Sequence, residues 1–325
     1  MRPEKQRSDP HRFCPHGVRI STHCPSRKMS AHSSNEQLLV TFWGTRGSIS
    51  TPGARTQKYG GNTPCVSVEY GNTSVILDAG TGIRNLGIEL AQHKGESLSL
   101  HLLLSHTHWD HIQGLPFFMP AYRRGTRIAI YGSSKKKTFL ASVLRKQMDV
   151  NYFPVDMSAM AADLSINEIS SPAFRIGRLK VVCQEQVCHP GGSVRYRLHA
   201  GRKRIVYATD VELDAFMGRG KTSPSERRLA RDYLSFIRGA DLLIGDGQYS
   251  ESEYPTRIGW GHSSMPVLIE AACRAKVRKL AIFHHDPQHT DSILDRLWDQ
   301  YARRYKNTHP KTAIFLAREG MTLAL

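Results

Sequence analysis

The stretch SHTHWDHIQG, from Ser105 to Gly114, places three histidines and an aspartate within six positions. It follows the apolar run LSLHLLL, which predicts a buried strand that ends at a polar loop. Neutral imidazole is the commonest metal-binding side chain, and the ions of two-metal hydrolytic sites lie about 3.5 to 4 Å apart. A polar turn without metal is the alternative. The spacing favours two adjacent metal positions, the first bound by the first two and the second by the last two of these side chains: His106, His108, Asp110 and His111.

Further candidate ligands follow predicted strands later in the chain. His189 comes after LKVVCQEQV, Asp210 after RIVYA, and His284 and His285 after KLAIF. Strand ends are rigid positions for ligands, and we expect these ends to converge at one edge of a sheet. An isolated histidine or aspartate in such a place is usually structural, but several of them together favour a metal site.

Short β-rich runs alternate with helical patterns from Leu38 onward. CVSVEY, the turn pair Gly71-Asn72 and TSVILD predict a β-hairpin, and RNLGIELAQH predicts a helix. Hairpins early in each half, with helices between the later strands, predict an α/β (α+β) fold in which two mixed β-sheets pack together under helices. We expect residues 38–325 to form one domain. Residues 1–37, rich in Arg, Ser, Pro and His, are expected to be a disordered basic tail.

The composition is strongly basic, with 45 Lys and Arg against 28 Asp and Glu and a net charge of +17 in 325 residues. Residues 1–36 hold seven of the basic and three of the acidic side chains, so a charge of +13 belongs to the rest. This favours anionic partners such as phosphates or nucleic acid, and a basic surface that only confers solubility is the alternative. No apolar run reaches the roughly 18 to 20 residues of a membrane span, and no signal peptide is visible. The six scattered cysteines suit a reducing compartment. We therefore expect a cytoplasmic protein without a membrane partner.

The set SHTHWDH, HPGG, ATD and a final strand-end histidine resembles the metallo-β-lactamase fold superfamily from Leu38 to Leu325. The resemblance implies an αββα sandwich, a dinuclear metal site and a homodimer, which is common among relatives. The nitrogen-rich ligands favour two Zn²⁺ ions, and Mn²⁺ or Fe would also suit them. His284 is chosen over His285 because it matches the first histidine after the strand in the ribonuclease Z pattern. The implied ligands are His106, His108 and His189 for one ion, Asp110, His111 and His284 for the other, and Asp210 for both.

The segment GWGHSSMPVLIEAACRAKVRKLAIFHHDP is similar to the ribonuclease Z branch, in which a GHSS-like histidine precedes a helix and the strand with the last ligand. DLLIGDGQY resembles the strand of that branch that ends in a carboxylate paired with this histidine. The pair here is Asp246 and His262. An imidazole held by a carboxylate suits a phosphodiester hydrolase, because the leaving alkoxide must be protonated or its phosphate oxygens stabilised. A helix-capping polar loop is the alternative for His262.

The chain looks even closer to a group of bacterial metallo-β-lactamase-fold hydrolases related to cyclic-nucleotide phosphodiesterases and to ribonuclease Z. The motifs of that group appear here, in the same order, as WGTRGS, YGGNT, ILDAGTGIRNLG, SHTHWDHIQG and HPGG. The chain lacks a long insertion like the arm with which ribonuclease Z grips tRNA. In GDGQY it also has Asp where that branch usually has Glu. Both departures weaken the prediction that tRNA is the substrate.

These motifs predict a dinuclear metal-dependent phosphodiesterase that acts on a small nucleotide-like diester such as a cyclic nucleotide. In this hypothesis a hydroxide that bridges the two metals attacks phosphorus in line. Asp110 orients the hydroxide, and His262, held by Asp246, protonates or stabilises the leaving oxygen. The alternatives are an RNA-processing nuclease of ribonuclease Z type, a thioester or lactone hydrolase, and a non-catalytic metal-holding binding module.

Substrate contacts are predicted in glycine-rich loops beside strand ends. Arg46, Asn62 and Thr63 have side chains that could hold a phosphate, and loop-bracing hydrogen bonds are the alternative for each. Tyr152 and Phe153 could form an aromatic lip that stacks on a base, although packing beneath a loop is favoured. Trp109, inside the metal loop, is expected to pack against the scaffold.

Overall fold

Two seven-stranded β-sheets form the centre of the structure, a computed structural model that describes residues 37–92, 97–133, 139–218, 222–306 and 311–325. The predicted tail lies outside the described residues apart from its last position. The boundary between this tail and a single domain of residues 38–325 therefore stays a prediction. No helix in the described part is long and apolar enough to cross a membrane.

The first sheet starts antiparallel and continues parallel. In chain order its strands are β1 (Leu38–Gly44), β2 (Cys65–Tyr70), β3 (Thr73–Leu77), β4 (Ser99–Leu103), β5 (Arg127–Gly132), β6 (Asp163–Glu168) and β14 (Thr322–Ala324). Strands β2 and β3 are the hairpin predicted around Gly71-Asn72. From β3 to β6 the strands run parallel, so their carboxyl ends lie along one edge.

The second sheet has the same plan. Its strands are β7 (Ala173–Ile176), β8 (Leu179–Gln186), β9 (Ser193–Ala200), β10 (Lys203–Ala208), β11 (Leu242–Asp246), β12 (Lys279–Phe283) and β13 (Ala313–Leu316). From β7 to β10 neighbouring strands are antiparallel, and from β10 to β13 they are parallel. Strands β8, β10, β11 and β12 therefore all end at the same edge.

Apolar side chains from both sheets meet in the middle of the molecule. Phe42 of β1 lies 6.1 Å from Phe283 of β12, and Tyr207 of β10 lies 5.8 Å from Phe283, measured between ring centroids. All three are buried in one core cluster that both sheets share. Burial of apolar side chains is the dominant favourable contribution to the free energy of folding. The strand ends that follow these residues are therefore held by a well-packed interior.

Helices cover the outer faces, and the predicted αββα sandwich is confirmed. Helices α1 and α3 pack on the first sheet and α5 to α7 on the second. The helix predicted from RNLGIELAQH corresponds to α1. In chain order the helices are α1 (Ile83–Ala91), α2 (Trp109–Ile112), α3 (Phe139–Lys146), α4 (Asp214–Met217), α5 (Pro224–Ile237), α6 (Met265–Arg274) and α7 (Asp291–Lys306).

Candidate metal centre

The seven predicted metal ligands lie together at the edge where the carboxyl ends of the strands meet. The first sheet supplies four of them, from the loop after β4 and from α2, and the second sheet supplies three, from the loops that follow β8, β10 and β12. The four are His106, His108, Asp110 and His111, and the three are His189, Asp210 and His284. Both sheets therefore contribute to one site.

Of the overlapping groups that donor atoms form within 4.8 Å of one another, two together hold six of the seven predicted ligands, with three donors each. One group contains three imidazoles, and the other contains a carboxylate and two imidazoles. We refer to them as the first group, His106, His108 and His189, and the second group, Asp110, His111 and His284.

Asp210 lies between the two groups, and each of its oxygens faces one of them. Oδ2 lies 3.6 Å from Nε2 of His106 and 3.9 Å from Nε2 of His189. Oδ1 lies 3.3 Å from Nε2 of His111 and 3.4 Å from Nε2 of His284. Asp210 is therefore placed to help either group hold a cation.

The nitrogen atoms inside the groups are arranged as metal donors. Nδ1 of His108 lies 3.1 Å from Nε2 of His189, and Nε2 of His111 lies 3.3 Å from Nε2 of His284. Nε2 of His106 is buried without a hydrogen-bond partner among the described residues. Burial lowers the pKa of His106, His108 and His189, which favours the neutral imidazole that binds metal. The donor set fits a divalent metal centre.

Asp110 is anchored from outside its own loop. Its Oδ2 accepts a hydrogen bond of 2.8 Å from the backbone N–H of Ser48 and lies 3.2 Å from Nε2 of His284. Burial raises the pKa of Asp110, but His111 and His284 outweigh burial and hold the pKa well below its usual range. The carboxylate is therefore ionised, as a metal ligand must be.

Two of the ligand imidazoles are held by protein atoms through the ring nitrogen that faces away from the group. Nδ1 of His284 lies 2.9 Å from Oε1 of Gln248, and Nδ1 of His189 lies 3.0 Å from the carbonyl oxygen of Gly261. An acceptor on one nitrogen fixes the tautomer and leaves the other nitrogen free to bind metal. Both rings are thus oriented before any ion binds.

Asp78 plays the same part for His111 and was not among the predicted site residues. Its Oδ2 lies 2.7 Å from Nδ1 of His111 and accepts hydrogen bonds from Tyr207 and Ser105, while Oδ1 accepts from the backbone N–H of Ser105. A usable signal was present in ILDAG, where a carboxylate follows a strand as Asp210 does. The pattern lacked a histidine and therefore pointed less clearly to metal.

Asp246 and His262 form the predicted pair. Asp246 ends β11, and its Oδ2 lies 2.8 Å from Nδ1 of His262. The His262 ring lies 4.9 Å from that of His284 and 5.3 Å from that of His189, between centroids. Burial lowers the pKa of His262, but the charge and hydrogen bond of Asp246 outweigh it and raise the pKa to about 9. The pair thus stands directly beside both ligand groups.

Two glycines of the sequence motifs let loops approach the ligands closely. A Cβ atom at Gly47, in WGTRGS, would lie 2.4 Å from Nδ1 of His284. A Cβ atom at Gly261, in GWGHSS, would lie 2.3 Å from Nδ1 of His189. Side chains cannot occupy such positions, so each motif needs glycine where its backbone packs on an imidazole.

Several site residues adopt a left-handed backbone that non-glycine residues rarely populate. The φ angles are 61° at Asp78, 55° at Asp210 and 61° at His284, and Ser48, which donates to Asp110, has a φ of 63°. Such conformations cost free energy and persist where the surrounding structure imposes them. Three strand ends are therefore bent sharply to present these side chains to the site.

Arg46 does not occupy the predicted substrate-binding position. Its guanidinium is buried and donates to the carbonyl oxygens of Gly60, Asp286 and His289. These bonds join the loop after β1 to the loop after β12. The prediction of a phosphate contact is wrong for this residue, because its donors are directed to backbone oxygens.

Asn62 and Thr63 also make bonds that brace loops. The Asn62 side-chain amide donates to Oε2 of Glu319 at 2.9 Å, and Oγ1 of Thr63 accepts from the backbone N–H of Thr81 at 2.8 Å. These contacts correspond to the alternative stated for both residues. A substrate contact by either one stays a prediction.

His285 is directed away from the ligand groups. Its Nε2 lies 2.8 Å from the carbonyl oxygen of Ala317, and its ring packs edge-on against Tyr59 at 5.8 Å. Burial, assisted by the charge of Arg46, lowers the pKa of His285 to about 3. Of the two adjacent histidines, only His284 faces the second group.

The aromatic residues near the site differ from expectation. Trp109 was expected to pack against the scaffold, but 81% of it is exposed. This expectation is wrong because Trp109 begins α2 on its solvent side, while the next two residues turn inward. Phe153 packs on Phe117 at 5.4 Å, as favoured, whereas Tyr152 is exposed.

Glu212 organises the loop that leads to His262 and was also missed. Its buried carboxylate accepts hydrogen bonds from the backbone N–H groups of Gly259 and Gly261 and from the hydroxyl of Tyr254. The acceptors lie more than 40 positions from their donors, and no local spacing in the sequence indicates such a contact.

This fold and this site together define a metal-dependent hydrolase of the metallo-β-lactamase fold. A family model described as the β-lactamase superfamily domain matches residues 73–285, and the chain belongs to this family. The match covers the ligands of both sheets.

Three similar proteins illustrate the relationship. Ribonuclease Z from Natronomonas pharaonis is 25% identical over 281 residues, which cover 76% of this chain and 86% of that protein. The metallo-β-lactamase fold protein YhfI from Bacillus subtilis has a TM-score of 0.60 at 18% identity and covers 90% of this chain and all of that one. Unliganded yeast PDE1 has a TM-score of 0.63 at 16% identity, with 90% and 100% coverage. The two solved structures share the fold.

Proposed function

We propose that the protein is a dinuclear metal-dependent phosphodiesterase that hydrolyses a small nucleotide-like diester such as a cyclic nucleotide. The observation that carries the proposal is the Asp246–His262 pair, with 2.8 Å between Oδ2 and Nδ1, beside the two ligand groups. Hydrolysis of a thioester or lactone would use the same ligands but does not call for this pair. The names of similar proteins, ribonuclease Z among them, give further support.

The residues divide the work of an in-line displacement at phosphorus. Divalent cations held by the two ligand groups and Asp210 would lower the pKa of water and neutralise charge on the phosphoryl oxygens. Asp110 accepts a hydrogen bond from the attacking water and orients it. His262, oriented by Asp246 through Nδ1, donates the proton on Nε2 to the leaving oxygen, which would otherwise depart as an alkoxide.

The identity and number of ions belong to the same proposal. Five imidazoles and two carboxylates form a nitrogen-rich set, which supports two Zn²⁺ ions, while Mn²⁺ or Fe would also suit it. A cytoplasmic homodimer remains a prediction.

The test is hydrolysis of bis(p-nitrophenyl) phosphate and a panel of cyclic nucleotides by metal-quantified protein and its His262→Ala variant. Removing the proton donor should lower turnover by about 10²- to 10⁴-fold without loss of bound metal. His199→Ala is the control, because His199 lies within β9 and outside the site.

Each outcome has a distinct meaning. Equal activity of the wild type and His262→Ala would remove the proposed role of His262. If the metal-loaded wild type hydrolyses none of the diesters, the proposal of a phosphodiesterase is rejected. That result would favour a thioester or lactone hydrolase, or a module that binds metal without turnover.

An RNA-processing nuclease of ribonuclease Z type is the second candidate. The curated relatives named ribonuclease Z and the positive charge of the chain favour it. A 3′-extended tRNA in the same assay distinguishes the candidates. Cleavage of this tRNA with a higher kcat/KM than any cyclic nucleotide, and with steep salt dependence, would favour the nuclease.

A further inference from the structure

Large apolar side chains are exposed around the metal centre. Trp109 is 81% exposed and Trp260 is 57% exposed. Ile49 and Ile258, on the same loops as Ser48 and Trp260, are 59% and 65% exposed. Exposed apolar side chains that form one patch beside a site mark a surface that contacts a ligand or partner. The proposed chemistry uses none of these four residues.

The two tryptophans flank the same ligand. Trp109 directly follows His108, whose Nδ1 lies 3.1 Å from Nε2 of His189. Trp260 directly precedes Gly261, whose carbonyl oxygen lies 3.0 Å from Nδ1 of the same imidazole. The imidazoles of His108 and His189 therefore lie between the backbone segments that carry the two indoles, and both segments border the first group.

The Trp260 indole is held by a cation. The guanidinium carbon of Arg257 lies 4.7 Å from the Trp260 ring centroid. Arginine stacks on aromatic faces and fixes their orientation, and its charge attracts an anionic substrate. The loop itself is anchored by Glu212 through Gly259 and Gly261. Trp260 is thus an oriented ring on a braced loop rather than a free side chain.

We propose that Trp109 and Trp260 form a stacking subsite for the nucleobase of the diester. This inference rests on the proposed function and narrows its substrate class to diesters that carry a nucleoside on the phosphate. A flat aromatic base complements flat indoles, and stacking tolerates any base because each has a π-face. Arg257, which stacks on Trp260, adds positive charge beside this subsite.

The first experiment compares two diesters with the same leaving group, thymidine 5′-(p-nitrophenyl) phosphate and methyl p-nitrophenyl phosphate. The measured quantity is the ratio of their kcat/KM values, in which effects on metal or leaving group cancel. Trp109→Ala and Trp260→Ala should each lower this ratio about 5- to 100-fold, the range expected for one lost stacking contact. The phenylalanine variants should retain most of it. Tyr152→Ala is the matched control, because Tyr152 is also 81% exposed.

The second experiment measures binding without turnover. Adenosine 5′-monophosphate should quench tryptophan fluorescence of the metal-loaded protein, and ribose 5-phosphate should not. The chain has four tryptophans, so the quench should weaken in Trp109→Phe and in Trp260→Phe but persist in Trp298→Phe, whose residue lies in α7.

The outcomes separate this inference from the proposed function. If neither diester is hydrolysed by the wild type, the phosphodiesterase fails, and the quench still decides whether a base is bound. Hydrolysis with a ratio and a quench that both tryptophan variants leave unchanged would overturn the stacking subsite alone. A ratio that falls only in Tyr152→Ala would also overturn it. The stacking subsite would also be overturned if the wild type eluted as a dimer on gel filtration and both tryptophan variants eluted as monomers. A second copy of the chain would then be what covers the indoles.

Discussion

Asp78 shows how a residue that binds no metal can decide how well a metal binds. Its carboxylate holds Nδ1 of His111 at 2.7 Å and is itself fixed by the Tyr207 hydroxyl at the same distance. Burial lowers the pKa of His111, but nearby carboxylates, Asp110 foremost and Asp78 among them, outweigh it and raise the pKa. The imidazole of His111 is therefore oriented by Asp78 through Nδ1, and the nearby carboxylates make it more basic.

Replacing this carboxylate should weaken metal binding. In Asp78→Asn the amide accepts less strongly from His111 and can present a donor to it, so we expect metal affinity to fall about 10- to 100-fold. Competition with a zinc-sensitive dye measures the change. Tyr207→Phe, which keeps the carboxylate and removes one hydrogen bond, should show a smaller loss. Equal affinity in wild type and Asp78→Asn would exclude an orienting role.

At the scale of elements, the loop between β11 and α6 depends on a carboxylate that comes from the end of β10. Both oxygens of Glu212 accept hydrogen bonds from this loop. His262 lies in this loop, so the contact links the position of the proposed proton donor to the segment after β10 that carries Asp210.

Glu212→Gln should therefore loosen the loop and the site together. The introduced NH₂ group would face backbone N–H donors, and buried donors left without acceptors cost about 1 to 3 kcal/mol in the free energy of unfolding. Urea denaturation measures that loss, and turnover should fall with it. Tyr254→Phe removes one bond and keeps the carboxylate, so it should cost less. Unchanged stability of both variants would show that the loop is held by other contacts.

How far the sequence could predict these elements depended on whether a contact is local. The buried strand before His106 and the hairpin at Gly71-Asn72 follow from apolar runs and turn residues, which are local signals. Strands β6, β7 and β14 carry weaker local signals, because they lie at the sheet edges, where apolar patterning is weak. The burial of Arg46 could not be predicted, since its acceptor on His289 lies 243 positions away.

At the scale of the whole molecule, the metal centre joins the two sheets. The first sheet supplies the ligands around α2, and the second supplies His189, Asp210 and His284. Asp210 faces both groups. A bound cation would therefore add a connection between sheets that the apolar interior and hydrogen bonds such as that from Tyr207 to Asp78 already hold together.

Removing metal should accordingly lower thermal stability. A ligand that binds only the folded state at 100 times its Kd stabilises by about 2.7 kcal/mol, so chelation should reduce Tm, and Zn²⁺ should restore it in a concentration-dependent way. Differential scanning calorimetry of chelated and reloaded protein measures this. Asp210→Ala, which lacks the carboxylate between the groups, should show a smaller shift. A Tm that is independent of metal would contradict the connection between the sheets.

The bent strand ends at Asp78, Asp210 and His284 have a consequence for the history of such sequences. Each residue holds a left-handed φ that glycine adopts without penalty and that costs other residues about 1 kcal/mol or more. In a descendant released from catalysis, exchange of these residues for glycine would relieve this strain, and it would be opposed only by structural contacts such as the hydrogen bonds that Asp78 accepts from Tyr207 and Ser105. Substitutions at these three positions should therefore favour glycine over other residues. A related sequence with glycine at several of them would be recognisable as one that kept the sandwich and abandoned the chemistry.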